Sequence, residues 1–103
     1  MSSRRKLVVS PRAEGDLRRL LATSRVMWGE EQRDVYVERL TAAMSELLVH
    51  PYLGRARDDL SPGLRGLRSG AHVIYYRSDE RTVTIVRLLH ERMDPARHIR
   101  PPQ

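Results

Sequence analysis

The sequence contains 103 residues, with 19 lysine and arginine and 13 aspartate and glutamate side chains, and its formal net charge is +6. This length is sufficient for one modest hydrophobic core, so we expect a single domain over residues 1–103. Cysteine is absent, which excludes disulfides, thiolate metal sites and a cysteine nucleophile. No apolar run is long enough to span a membrane, and the run after Arg4-Arg5-Lys6 is too short for a signal peptide. We therefore expect a soluble, cytoplasmic protein.

The positive charge is concentrated in the second half of the chain. Residues 55–103 carry 10 basic and 6 acidic side chains, whereas residues 1–54 carry 9 and 7. A basic surface of this kind suits nucleic acid or an acidic protein. It is also typical of a solvated surface that only increases solubility, and charge alone leaves both interpretations open.

The first half of the chain predicts one strand and two helices. Lys6–Val9 is a short apolar run that favours a strand. Ser10-Pro11 then favours a helix start, with a hydroxyl at the N-cap and proline at the first helical position. Gly29 interrupts the helical spacing, and a second helix is expected from about Glu30 until His50-Pro51, because proline disfavours helix at the residue before it. Two amphipathic helices joined at a glycine predict a hairpin that packs on one face of a sheet.

A polar loop is expected over residues 52–63, and the stretch after it predicts a β-meander. Three runs suited to strands, 64–69, 71–77 and 82–90, are separated by short turns. Connections this short require antiparallel neighbours, because a parallel crossover needs a dozen or more residues. The predicted fold is α+β with the order β-α-α-β-β-β, in which a helical hairpin packs on one face of a small antiparallel sheet.

The last run divides into two rows, because successive strand residues point to opposite faces. The row assigned to the helix side consists of Thr84, Val86, Leu88 and His90. The other row consists of Val83, Ile85, Arg87 and Leu89. Since a buried unpaired charge at Arg87 would be costly, we place this second row outward. An exposed apolar row that contains a cation predicts a protein interface.

Catalytic and metal-binding patterns are weak. Four scattered histidines lack metal-ligand spacing, and there is no glycine-rich phosphate loop or serine nucleophile elbow. Metal-free RNA cleavage needs a proton shuttle and cations for the phosphorane. The residues that could supply them on one surface are Arg65, Arg68, Tyr75, Arg87 and His90. We favour the alternative that His90 ends a strand and Tyr75 packs the sheet, because no second proton-transfer partner is evident, and we assign no catalytic residue, metal ligand or cofactor.

A series of motifs along almost the whole chain, residues 6–99, carries a resemblance to a known family. The motifs are Val9-Ser10-Pro11, Asp16-Leu17, Trp28-Gly29, Pro51 with Gly54-Arg55, Gly63-Leu64-Arg65, His72-Val73-Ile74-Tyr75-Tyr76-Arg77, Val86-Arg87-Leu88-Leu89-His90 and Arg92-Met93-Asp94. In this order they closely resemble the ParE toxins, which belong to the RelE/ParE superfamily of bacterial toxin–antitoxin modules.

The resemblance implies that the first strand lies beside the last. It also implies inhibition of DNA gyrase and neutralisation by a ParD-type antitoxin encoded alongside. RelE-type relatives are instead ribosome-dependent mRNA endonucleases, and this activity is the alternative function. Glu91 follows His90 where some of those nucleases have a tyrosine, so we expect a toxin that acts by binding and is not an enzyme. We expect neither a small-molecule substrate nor direct nucleic-acid binding by the protein alone.

Two sets of binding residues are predicted. The antitoxin-binding set is the outward row, Val83, Ile85, Arg87 and Leu89. A disordered acidic antitoxin segment would fold over this row and the helical hairpin, with Arg87 meeting a carboxylate. The target-binding set is at the C-terminal end and consists of Arg87, His90, Arg92, Met93, Asp94 and Arg97. Guanidinium groups suit carboxylates and phosphates, and methionine is an adaptable apolar contact. We expect the core strands to end at about His90, so that a protein truncated after His90 should still fold.

Overall fold

The computed structural model describes residues 4–99, with the side chains of residues 24–28 excepted. The elements in chain order are β1 (Lys6–Val9), α1 (Pro11–Val49), β2 (Arg55–Ala56), β3 (Arg65–Ser69), β4 (His72–Ser78), β5 (Thr82–His90) and α2 (Pro95–His98). The strands form one sheet in the order β1-β5-β4-β3-β2. Within this described part, no helix is long and apolar enough to cross a membrane.

Helix α1 consists of two arms that meet at Gly29. Gly29 has φ 80° and ψ 173°, a positive φ that glycine adopts without steric cost. A straight helix of 39 residues would be about 58 Å long, whereas the longest dimension of the molecule is 40 Å. The first arm (11–28) and the second arm (30–49) therefore fold back on each other, and both contribute to one core. The predicted helical hairpin is confirmed, as is its N-cap, because Ser10 Oγ accepts a hydrogen bond from the Ala13 N–H at 3.1 Å.

The sheet combines antiparallel and parallel pairing. β3, β4 and β5 form the predicted antiparallel meander, and the two-residue β2 pairs with β3 within the segment that was expected to be a loop. β1 lies beside β5, as the resemblance implies. It runs parallel to β5, with Lys6 opposite Thr82 and Val9 opposite Ile85. The hairpin and meander between these two strands provide the long crossover that parallel pairing needs.

A β-bulge determines which side chains of β5 face the helices. The neighbouring residues Tyr75 and Tyr76 on β4 lie opposite Arg87 and Ile85, so Val86 is an extra residue on β5. An extra residue reverses the alternation of faces beyond it. The β5 residues that belong to the core beneath α1 are consequently Val83, Ile85 and Leu88.

The predicted orientation of the rows of β5 is therefore wrong in part. Val83 and Ile85, which were expected to face outward, are 0% exposed and pack against α1. Val86, which was expected beneath the helices, packs on the opposite side, called here the far face. The assignments of Leu88 to the helix side and of Leu89 to the far face agree with the structure. A strict two-residue period fails here because the bulge interrupts it.

The far face of the sheet is covered by the loop before β3 and by the end of the chain. Leu64, Tyr75, Leu89 and Ile99 form a buried cluster on this face, and none of them is more than 4% exposed. Ile99 lies well beyond β5. The last strand ends at His90, as predicted, but Ile99 makes the chain end part of the fold. The expectation that the segment after His90 is separable from the fold is therefore wrong.

Replacing Ile85 by Asp should lower the free energy of unfolding by roughly 3 kcal/mol or more, because it places an unpaired charge among apolar side chains. Val8→Asp is the control, since Val8 lies on the edge strand β1 and is 39% exposed. It should cost about 1 kcal/mol or less. Urea denaturation at pH 7 measures both values. Equal losses in the two variants would contradict the placement of Ile85 in the core.

Candidate protein-interaction site

The chain after β5 forms a C-terminal segment, residues 91–99, that is fixed to the sheet. At its start, the Glu91 N–H donates to the Ala71 carbonyl at 2.8 Å. In its middle, Asp94 Oδ1 accepts from the Ala96 N–H at 3.1 Å and caps α2. At its end, Ile99 is buried in the far-face cluster. The segment is therefore an ordered part of the surface, and its removal would expose the cluster beneath it.

A buried ion pair connects this segment to α1. Arg87 Nε donates to Asp16 Oδ2 at 2.8 Å and Arg87 Nη2 donates to Asp16 Oδ1 at 2.9 Å, which is the bidentate geometry of strong guanidinium–carboxylate pairs. Arg87 Nη1 donates to the His98 carbonyl at 2.9 Å. Asp16 also accepts from the Leu88 N–H at 3.0 Å and from Arg19 Nη2 at 2.8 Å. One carboxylate thus joins the first arm of α1, strand β5 and, through Arg87, the C-terminal segment.

The position of this pair follows from the unequal lengths of β1 and β5. β1 ends at Val9, and β5 continues beyond it without a strand partner on that side. Side chains near the start of α1 complete the hydrogen bonding instead. The Ser10 hydroxyl donates to the Val86 carbonyl at 2.8 Å, and Asp16 accepts from the Leu88 N–H. Buried backbone polar groups need partners of this kind.

Asp16 stays ionised in this environment. Burial would raise the pKa of its carboxyl, but the hydrogen bonds from Arg87 and from the Leu88 N–H outweigh burial and hold this pKa below its usual value. The side chains of Arg87 and Asp16 are 10% and 5% exposed, so salt screens their attraction only weakly. Removing one partner of such a pair leaves a buried, uncompensated charge, which typically costs about 3–5 kcal/mol.

Four of the residues predicted to contact a target are exposed together on the C-terminal segment. They are Arg92, Met93, Asp94 and Arg97. His90 is half-buried, and its Nδ1 accepts from the Arg92 N–H at 3.1 Å. The structure corrects the expectation for Arg87, which is only 8% exposed. Asp16 supplies the carboxylate that Arg87 was expected to find on a partner. Contact between the four exposed residues and a target stays a prediction.

The residues predicted to bind the antitoxin lie inside the protein. Val83, Ile85 and Leu89 are at most 1% exposed, because α1 covers the first two and the chain end covers the third. They could contact a partner only if α1 or the end of the chain moved away from the sheet. Their part in antitoxin binding stays a prediction, and the exposed apolar row on which it was based is not present.

A cluster of ring side chains that was not predicted from the sequence lies beside the start of the C-terminal segment. Tyr36 Oη contacts His72 Nδ1 and accepts from the Ala71 N–H at 3.1 Å. The rings of His72 and His90 meet edge to face, with centroids 5.3 Å apart. Burial lowers the pKa of His72, and the charged form of His90 lowers this pKa further. The second arm of α1, β4 and β5 each contribute one ring, so no local spacing in the sequence could have revealed the cluster.

The residues considered for RNA cleavage do not converge on one surface. Arg87 and Tyr75 are buried. Arg65 lies over the ring of Tyr52, with its guanidinium carbon 4.9 Å from the ring centroid, whereas Arg68 forms an ion pair at the other end of β3. Within residues 4–99, no group of three or more histidine, aspartate or glutamate side chains could hold a metal ion.

An open pocket of about 410 Å³ lies along the second arm of α1. Among the residues that the structure describes, those that line it share one face of the helix and are Gln32, Val35, Tyr36 and Arg39. Val35 is 53% exposed. Arg39 is also exposed and forms no ion pair within the part of the chain that the structure describes. This stripe offers a partner an apolar contact next to a cation.

Comparison with known proteins identifies relatives of the whole chain. Residues 7–95 match the family described as "ParE toxin of type II toxin-antitoxin system, parDE". The chain is 37% identical over 100 residues to Toxin ParE1 of Mycobacterium tuberculosis (strain CDC 1551 / Oshkosh), covering 96% of this chain and 100% of the relative. It is 36% identical over 91 residues to Toxin ParE1 of Caulobacter vibrioides (strain ATCC 19089 / CIP 103742 / CB 15), covering 88% and 94%.

A solved structure shows the same fold. A chain of the structure described as "Chromosomal ParDE TA system from P. aeruginosa" superposes with a TM-score of 0.71 at 20% sequence identity, covering 84% of this chain and 95% of that chain. Fold and sequence together define the class as a toxin of a type II toxin–antitoxin system. Within that class, the chain belongs to the ParE toxin family, which confirms the resemblance.

Asp16→Asn should lower the free energy of unfolding by about 3 kcal/mol or more at pH 7, because Arg87 loses its counter-charge. The pKa of Asp16 is lowered in the folded state, so its stabilisation is complete above the usual aspartate value of 3.8 and is lost as the pH falls through the folded value. The difference between the variant and the wild type should therefore shrink in acid. Urea denaturation over a pH series measures this difference.

Asp34→Asn is the matched control for this experiment. The Asp34 side chain is 66% exposed and pairs with Arg33 on the surface, so its replacement should cost less than about 1 kcal/mol. An Asp16→Asn protein as stable as this control would show that the buried pair does not hold the fold together.

The wild type should lose more stability than His72→Gln when the pH falls from about 7.5 to about 5.5. A lowered pKa in the folded state means that the unfolded chain takes up the proton first. The contribution of His72 is therefore lost as the pH falls below its usual value of 6.5. Tyr36, His90 and Glu91 are the titratable groups that face His72, and all three are kept in the variant. Glutamine can still hydrogen-bond to Tyr36, and thermal denaturation over a pH series measures the stability of each protein.

His50→Gln, at the exposed end of α1, is the control for this experiment. Identical pH slopes of stability for the wild type and His72→Gln would exclude a role for His72 in the pH dependence.

Proposed function

We propose that this toxin arrests growth in the cytoplasm by inhibiting DNA gyrase through its C-terminal segment. The observation that carries the proposal is the exposure of Arg92, Met93, Asp94 and Arg97 on a segment that is fixed at both ends. A fixed binding surface loses little conformational entropy when a partner binds. The two arginines suit carboxylates or phosphates, and Met93, which is 38% exposed, adds an apolar contact.

A ParD-type antitoxin is the proposed neutralising partner. The structural relative is described as a ParDE system, and family membership favours the same kind of partner here. We place the antitoxin contact on the stripe of the second arm that contains Val35 and Arg39. An acidic, amphipathic segment would cover Val35 and pair with Arg39. This placement replaces the buried row of β5, and Tyr36 lies in the middle of the stripe.

Arg92→Ala combined with Met93→Ala should reduce inhibition of gyrase by at least tenfold, because it removes a cation and an apolar contact from the proposed surface. Both side chains point to solvent, so thermal stability and antitoxin affinity should stay close to those of the wild type. A plasmid supercoiling assay with purified gyrase measures inhibition, and calorimetry measures antitoxin binding. Arg12→Ala, an exposed arginine at the start of α1, controls for the loss of charge. Full inhibition by the double variant would place the active surface elsewhere.

The wild-type toxin should produce no codon-specific mRNA cuts during growth arrest, and His90→Ala should leave the mRNA pattern unchanged. Primer extension on translated mRNA, performed beside the supercoiling assay, tests this expectation. Cuts that appear on induction and vanish in His90→Ala would establish the RelE-type endonuclease activity in place of gyrase inhibition.

A further inference from the structure

A short turn between α1 and β2 displays apolar side chains to solvent. We call residues 49–54 the Tyr52 turn. Val49, Tyr52 and Leu53 are 53%, 73% and 48% exposed. Large apolar side chains that are exposed next to one another are uncommon on a monomeric surface and mark sites of interaction.

Hydrogen bonds to the hydroxyl of one buried tyrosine hold the backbone of this turn in place. The Tyr76 hydroxyl donates to the Pro51 carbonyl at 2.8 Å and accepts from the Gly54 N–H at 2.8 Å, and Tyr76 is 0% exposed. A Cβ atom at Gly54 would lie 2.6 Å from the Tyr76 hydroxyl oxygen, so this close approach requires glycine. The Leu53 N–H also donates to the His50 carbonyl at 3.1 Å. The exposed residues are therefore presented in one backbone conformation.

Arg65 lies over the exposed ring of Tyr52. Its guanidinium carbon lies 4.9 Å from the centroid of the Tyr52 ring, and its Nη1 donates to the Gly54 carbonyl at 2.7 Å. Within residues 4–99, Arg65 forms no ion pair with a carboxylate, and the Tyr52 hydroxyl forms no hydrogen bond. Arg55 adds a second exposed cation on the adjacent strand β2. The turn thus combines an exposed tyrosine, apolar neighbours and Arg65, a cation that forms no ion pair within residues 4–99.

The exposed side chains of this turn do not pack in the interior of the protein. Tyr52 and Leu53 belong to neither buried cluster, in contrast to Tyr36 and Tyr76, which are core residues. Tyrosine and arginine are enriched among the residues that dominate binding energy at protein interfaces. Side chains that are already ordered lose less entropy on binding. A binding surface explains both the exposure of the turn and the contacts that hold it.

We propose that the Tyr52 turn is a second contact surface for the protein target of the toxin and receives an acidic segment of that target. Its apolar side chains would be covered by the target, and Arg65 and Arg55 would meet carboxylates. This inference rests on the proposed function, because it assigns the turn to the same target as the C-terminal segment.

The two surfaces lie at opposite ends of the strands. Arg65, beside the turn, begins β3, and Ser69 ends β3 opposite His72, which in turn lies opposite His90. Four residue steps along a strand separate these ends by roughly 13 Å. One large partner can contact both surfaces at once, and two linked contacts bind more tightly than either alone.

The test compares variants of the full chain for binding to the gyrase holoenzyme on DNA, measured by surface plasmon resonance. Tyr52→Ala combined with Leu53→Ala should weaken binding at least tenfold, whereas Tyr52→Phe, which keeps the ring, should stay within about twofold of the wild type. Arg65→Glu should weaken binding, and more strongly at low salt. Val8→Ala and Arg81→Glu alter other exposed positions and should bind like the wild type. Circular dichroism and thermal denaturation confirm that each variant is folded.

Each outcome separates this inference from the proposed function. Wild-type affinity in the Tyr52→Ala/Leu53→Ala protein, together with loss of binding in Arg92→Ala/Met93→Ala, overturns the second surface alone. No binding of the wild type to gyrase overturns both. A loss of antitoxin affinity in the Tyr52→Ala/Leu53→Ala protein assigns the turn to the antitoxin instead. Binding of the wild type to a fluorescent oligothymidylate that is abolished in this variant assigns it to single-stranded nucleic acid.

Discussion

The ion pair between Asp16 and Arg87 is the contact on which the arrangement of the chain depends. It joins residues that are far apart in the sequence, and its two partners also bind the β5 backbone and the His98 carbonyl. A buried ion pair does not by itself make a protein more stable than an apolar contact would. Its effect here is geometric, because it ends the sheet on one side and fixes the C-terminal segment on the other.

The ion pair also explains how a cation can lie on a strand that is covered on both faces. Arg87 lies beyond the point where β1 stops, so its side chain can reach α1 past the open edge of β5. The carboxylate that it meets is already ionised and hydrogen-bonded. Because the ion pair closes this edge of β5, the C-terminal segment can pack Ile99 against the far face. The sheet therefore has two covered faces although the chain has only 103 residues.

The sequence predicted those features that depend on local signals. Ser10-Pro11, Gly29 and Pro51 mark the helix ends, and short turns mark the antiparallel meander. The bulge at Val86 could not be read from the pattern, because an extra residue in an apolar strand changes the faces without changing the composition. The contact between Asp16 and Arg87 depends on long-range pairing, for which the sequence contains no spacing signal. The position of Ile99 was missed for a related reason, since a single apolar residue near a charged chain end shows no periodicity.

The same features explain why no large exposed apolar side chain lies on either face of the central strands β4 and β5. Because both faces of the sheet are covered, the large exposed apolar side chains lie on the edge strand β1, on the outer side of α1, at the Tyr52 turn and on the C-terminal segment. The stripe on the second arm is connected to the C-terminal segment through Ala71 and through the rings of His72 and His90. The Ala71 N–H donates to Tyr36, and the Ala71 carbonyl accepts from the Glu91 N–H. An antitoxin on this stripe would thus contact the support of the C-terminal segment without covering Arg92 or Met93. If the antitoxin binds there as proposed, it would neutralise the toxin by changing that support or by excluding a large target, without competing for the same side chains.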